Sequence, residues 1–137
     1  MDEFLGFHMS IRVVESANEH LGYVSLCTHT DEKDPDHLRA AEMRRHLIKS
    51  RSGSEGLKTK VALGGDGELL GFIHTIPIES PLSGMNGRGL VVIPCLTINH
   101  QLVYAEKHGT SVGRALVQAV EREARGEAFK GLAVHAY

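Results

Sequence analysis

The stretch Lys107-His108-Gly109-Thr110-Ser111-Val112-Gly113-Arg114-Ala115-Leu116 carries the residue types and spacing with the most chemistry in them. A glycine-punctuated loop runs there into an amphipathic helix. The first N–H groups of a helix have no partner within it, and the helix dipole adds partial positive charge, so main chain at such a junction can hold a phosphate. Gly109 and Gly113 lack a Cβ and allow close approach, while Thr110 and Ser111 offer hydroxyls that cap the helix or touch a phosphate oxygen. A glycine- and serine-led helix that binds nothing is the plainer account of the same letters. A nucleotide P-loop needs Gly-Lys-Ser/Thr and the dinucleotide fingerprint needs Gly-x-Gly-x-x-Gly, and neither fits here.

The elements that position this junction follow from periodicity. Val112, Ala115, Leu116, Ala119 and Val120 share one helix face, Arg114, Gln118, Glu121, Arg122 and Arg125 fall mainly elsewhere, and Gly126 ends the helix. Leu90 to Ile98 before it is a run of strand formers, and Leu132 to Ala136 follows it, so strand, loop, helix and strand form a right-handed unit with parallel strands. Upstream, strands are expected at Ser10 to Val14, Leu57 to Leu63 and Glu68 to Thr75, the last two joined through the turn Gly64-Gly65-Asp66-Gly67. Between the first two lies a short helix around Glu19 to Cys27. A longer one follows, entered at Asp34-Pro35, with Leu38, Ala41, Met43, Leu47 and Ile48 as its apolar positions. Ser50 to Gly56 and Ser80 to Gly89 read as loops.

His108-Gly109-Thr110-Ser111-Val112-Gly113 after a strand and before that helix resembles the Gln/Arg-x-x-Gly-x-Gly/Ala acetyl-CoA signature of the GNAT superfamily of N-acyltransferases. His108 stands where the family prefers Gln or Arg, Ser111 where it prefers the first glycine, and Gly113 matches the last position. The likeness extends from about Ser10 to the end of the chain, and Gly71-Phe72-Ile73, Ile76-Pro77-Ile78-Glu79 and Val92 to Leu96 are similar to GNAT domains that precede a small second domain. The resemblance implies an α+β fold, a GNAT-like mixed central sheet flanked by helices in the order β-α-α-β-β-β-α-β, lacking the family's usual C-terminal helix and strands. It implies acetyl-CoA as co-substrate, its diphosphate held by His108, Gly109, Thr110, Ser111, Val112, Gly113 and Arg114. It also implies that the strand Leu90 to Ile98 bulges and splays from its parallel neighbour, opening a slot in which main chain at Leu96, Thr97 and Ile98 bonds the pantetheine arm and one N–H polarises the thioester carbonyl. Pro94, which cannot donate to a ladder, is compatible with the lost pairing.

Acyl transfer to an amine needs a route for the amine's proton. Glu79, at the end of the third strand near where the family binds acceptors, is the carboxylate candidate, since partial burial would raise its pKa; a solvated loop glutamate is the alternative. His74 and His135 are candidates for a relay through water, or are strand residues facing solvent or a partner, and Cys95, without a recognisable base, reads as a structural thiol. The nine histidines are scattered, with no His-Glu-x-x-His and no paired Cys-x-x-Cys, so no metal is expected. The acidic segment Thr30 to His37 would suit a cationic amine, or is simply a charged surface loop.

Composition bounds these readings. A chain of 137 residues, 42% hydrophobic, holds one compact core, so residues 1 to 137 are expected to form a single domain with residues 1 to 9 as a leader. Fifteen basic against seventeen acidic residues, net −2, argues against a general nucleic-acid or anionic-membrane binder, although Arg39, Arg44, Arg45, Lys49 and Arg51 make one helix locally basic. No apolar run approaches a membrane span and no signal-peptide layout opens the chain, so the cytoplasm is the expected location. The leading expectation is an N-acetyltransferase acting on a primary amine of a small molecule or peptide by direct attack in a ternary complex. A CoA-binding module without catalysis and an RNA-contacting or structural domain are the alternatives. An exposed terminal strand would allow a homodimer.

Overall fold

The computed structural model describes residues 10–26, 31–51, 56–99 and 110–134. Five strands form one sheet in sequence order: β1 (Arg12–Glu15), β2 (Lys58–Leu63), β3 (Leu69–Pro77), β4 (Leu90–Ile98) and β5 (Gly131–Val134). β1 to β4 pair antiparallel and β4 with β5 parallel, as the strand–helix–strand unit requires. The helices are α1 (Leu21–Val24), α2 (Pro35–Arg51) and α3 (Thr110–Gly126). This is the expected mixed α+β order. Among the described residues no helix is long and apolar enough to cross a membrane.

The sheet separates two cores. On one face α3 buries Val112, Leu116, Val120 and Ala124, a strict four-residue spacing that lays one stripe against Ala62, Ile73, Val91 and Ile93. Each of the larger side chains contributes about 1.5–3 kcal/mol by leaving water. On the other face Val24 and Ile48, from α1 and α2, meet Val61, Phe72, Ile76 and Val92. The sheet is therefore apolar on both sides, which explains the largely hydrophobic runs of β3 and β4.

Two expectations about the helices change. The first helix is a single turn preceded by a 3-10 turn at Asn18–His20; Ser25 turns its hydroxyl back onto the Leu21 carbonyl at 2.6 Å, a local bond that competes with helix continuation. In α2 only Ala41 and Ile48 are buried, one heptad apart, whereas Leu38, Met43 and Leu47 are 45%, 73% and 42% exposed. A single line of contact cannot cover apolar residues spread around the helix. Its start is as expected: the Asp34 carboxylate accepts the Asp36 N–H at 2.9 Å and Pro35 opens the helix.

Across the sheet, β2 and β3 turn at Gly64 to Gly67, where Gly67 takes φ 84° and the Gly64 N–H closes on the Glu68 carbonyl at 2.9 Å.

Candidate active site

The site is built on an irregularity of β4. Against β3, Cys95 stands opposite His74 but Val92 opposite Ile76, so Ile93 and Pro94 share one partner position at Thr75. That is a bulge, and it reverses the alternation of side chains. Before it, Val91 and Ile93 face α3 and Val92 faces α1; beyond it Cys95 packs in the α1-side core while Ile98 packs on the α3 side. Thr97, opposite Phe72, shares the α1 face, its hydroxyl 3.4 Å from the Cys95 Sγ. Pro94 itself is exposed and offers no N–H.

β5 pairs with β4 from Leu90–Gly131 to Ile93–Val134, and among the described residues no pair lies beyond it. From Cys95 to Ile98, β4 keeps its β3 partners. Leu96, 41% exposed, sits in this second half.

α3 starts beside Ile98, at the end of β4. Val112 is fully buried and packs under β3 at Gly71, so its main chain is fixed while its side chain belongs to the core. Ser111 and Arg114 are exposed. Among the described residues, a Cβ on Gly113 would meet only the Ile98 Cδ1, at 4.0 Å. The fold itself therefore does not require a glycine there, in contrast to Gly71, whose Cβ would lie 2.7 Å from the Thr97 carbonyl oxygen. A missing side chain that packing does not demand leaves main chain open to a ligand. Thr110 begins the helix; His108 and Gly109 lie outside the described residues.

Glu79 is not part of this assembly. The carboxylate is exposed and accepts the Gly89 N–H at 2.8 Å, which holds it below the usual carboxylate range, so the burial that was to raise its pKa is absent. It sits at the start of β4, where the Ile78 N–H bonds the Leu90 carbonyl. At about 3.3 Å per residue, Gly89 is roughly 16 Å from Pro94 and roughly 23 Å from Leu96. The loop carrying it folds over this same end, away from the start of α3.

His74 is also reassigned. Its Nε2 lies 3.1 Å from the Val24 carbonyl, which can only accept, so Nε2 carries the proton and Nδ1 accepts the Thr59 hydroxyl at 2.7 Å. Burial pushes its pKa down to about 4, with the nearby Arg44 charge acting in the same direction and the Val24 bond opposing it. A neutral imidazole tied at both nitrogens is a strut between α1 and the sheet rather than a relay near neutrality. His135 lies outside the described residues. Cys95 is a partly buried free thiol, consistent with its structural reading. No group of metal-ligating side chains forms among the described residues.

The sequence reading missed the ion cluster at the far end of α3. Lys60, nearly buried under the helix, is bonded to the Glu15 carboxylate and lies 3.0 Å from Glu123, and Lys58 lies 3.0 Å from Glu127. Burial opposes the Lys60 charge, but the two carboxylates outweigh it and hold the ammonium above the ordinary lysine range. A lysine in alternation with Val61 and Ala62 was the available signal. The cluster clamps α3 to β1 and β2, at the opposite end of the helix from Thr110.

No family model and no curated protein matches this chain. Solved structures do. The aminoglycoside N-acetyltransferase AAC(6')-Iy, in complex with CoA, superposes with a TM-score of 0.68 at 14% identity, over 95% of this chain and 79% of that one. The ribosomal-protein-alanine N-acetyltransferase of Brucella melitensis biovar Abortus 2308 gives 0.61 at 15%, over 93% and 81%. A transcriptional regulator from Bacillus halodurans C-125 gives 0.62 at 14%, over 95% and 83%. The fold is that of the GNAT acetyltransferases. Since it also serves a protein named as a regulator, the site must carry the functional argument.

Proposed function

We propose that this chain is a GNAT-type N-acetyltransferase that moves the acetyl group of acetyl-CoA to a primary amine of a small molecule or peptide. The observation that carries the reading is the coincidence of two features: the β4 bulge at Pro94, and beside the same strand an α3 start in which a Gly113 Cβ would meet only Ile98 among the described residues. Main chain at Thr110 to Arg114, with His108 and Gly109 before it, would grip the diphosphate, with the helix dipole assisting. Leu96, Thr97 and Ile98 would bond the pantetheine arm as a strand bonds its neighbour.

The reaction is then direct. The neutral amine nitrogen attacks the thioester carbonyl and forms the C–N bond, and a main-chain N–H of the wedge stabilises the oxyanion. The intermediate collapses by breaking the C–S bond, the electron pair leaving with the thiolate, and the amine's proton passes to water. Glu79 and His74 have no part in this step: one is remote, the other held neutral. What the chain's residues supply is position and an aligned donor.

Heat-induced unfolding with rising acetyl-CoA tests the binding half: the midpoint is expected to climb with ligand by mass action. Thiol release from acetyl-CoA with a panel of primary amines tests the chemical half. A folded sample that no concentration of acetyl-CoA stabilises would remove the reading; stabilisation without turnover on any amine would turn it into a CoA-binding module. β5 is paired on one side only among the described residues, and the same reading gives that edge to a second copy, which sedimentation across a concentration range checks.

A further inference from the structure

A cavity of about 360 Å³ opens on the α1 side of the sheet, at the β1 edge and so at the other edge from β5. Four segments meet around it: the end of β1 with the 3-10 turn that follows, the start of α1, the last turn of α2 and the start of β2. Its volume falls in the range of small-molecule sites. The floor is apolar, since Leu21, Ile48 and Leu57 line it and all three belong to the α1-side core.

The alternation of the strands sorts the polar groups around that floor. Glu15 and Lys58 border the cavity, but their charges lie on the α3 face, where Glu15 is bonded to Lys60 and Lys58 lies 3.0 Å from Glu127. The Thr59 hydroxyl is held by His74 at 2.7 Å. Lys49, Asn18 and Ser16 remain, and their side chains make no hydrogen bond or ion pair among the described residues. Lys49 and Asn18 are exposed, so solvent reaches this rim. An ammonium, an amide NH2 and a hydroxyl are all donors, and the one charge without a partner is positive.

We propose that this cavity is a binding site for a small carboxylate that carries a hydrocarbon tail. The carboxylate accepts from Lys49 Nζ, the Asn18 amide and the Ser16 hydroxyl, and the tail covers Leu21, Ile48 and Leu57. An inorganic anion would use the donors and leave the floor wet, so the tail is part of the recognition. The site lies at the opposite edge of the sheet from β5 and on the opposite face from α3, apart from the acetyl-CoA site proposed above. Its occupant bridges α1 and α2 to β1 and β2, and so stabilises the docked helical layer.

Isothermal titration calorimetry with hexanoate, phenylacetate, hexylamine and inorganic phosphate tests the assignment. At least one of the two carboxylates is expected to bind saturably, one per chain, with hexylamine and phosphate at least about tenfold weaker, the scale of one charged hydrogen bond or of a buried tail. Lys49→Glu should unfold close to the parent's temperature, because the side chain is exposed and unpaired, and should lower carboxylate affinity about tenfold or more. Lys49→Met, which removes the charge without adding repulsion, should lower it in the same direction and serves if the acidic variant does not fold. No saturable binding of either carboxylate, phosphate binding as tight as theirs, or unchanged affinity in both Lys49 variants would each overturn the inference. Acetyl-CoA takes no part in these titrations, so their failure leaves the acetyltransferase reading standing, and the failure of that reading leaves this site standing.

Discussion

The two halves of β4 are one strand with two environments. From Leu90 to Ile93 it is bonded to β3 on one side and β5 on the other, and its side chains feed both cores. From Cys95 to Ile98 it keeps β3 alone among the described pairs. One extra residue at Ile93–Pro94 separates the two halves, by removing a donor and reversing which face each later side chain meets.

Substitutions that act on one half and spare the other sharpen the contrast. The largest effect is expected from Gly113→Leu. The added side chain enters space the fold leaves open beside Ile98, so unfolding without ligand should move little, or upward by as much as about 1 kcal/mol from helix propensity, while stabilisation by acetyl-CoA disappears. A variant that still responds fully to acetyl-CoA would separate the α3 start from the wedge.

Next in size is a pH effect held in the closed framework. The folded pKa of His74, about 4, lies below its ordinary 6.5, so the unfolded chain binds more protons in that window. The His74 contribution is complete above about pH 6.5 and is lost as pH falls toward 4, by roughly 3 kcal/mol at most. Denaturant unfolding at pH 7.5 and pH 4.5 should therefore show a smaller loss in His74→Gln than in the parent. Equal losses would mean the imidazole is not held neutral.

Gly71→Ala is the mirror of the Gly113 change. Its Cβ would press on the Thr97 carbonyl and, at 3.1 Å, on Val112 Cγ1, so a loss of about 1–3 kcal/mol is expected in denaturant titration. The smallest effect belongs to Glu79→Gln. A general base typically contributes about 10²–10⁴-fold, whereas this variant should keep thiol release within about twofold of the parent. A hundredfold loss would bring the β3–β4 loop back into the site.

Much of this was legible in the residues. The strand β4 was expected at its observed limits, α3 from its apolar spacing and Gly126, and the α2 start from Asp34-Pro35. These are local signals: propensity, period and cap. Glu79 was misplaced because its sequence position after β3 says nothing about which end of the sheet that strand reaches. β3 runs antiparallel to β4, so its end lies beside the beginning of β4 and far from the α3 start. His74 was misread because its neighbours in the chain do not reveal Val24 and Thr59, which are 50 and 15 residues away.

By itself the sequence determined the elements and their order, because backbone preference and hydrophobic period act over a few residues. Only the tertiary structure decided which side chains share a face beyond Pro94 and that His74 is neutral and tied. Those follow from strand register and from burial, and both are set by contacts between segments distant in the chain.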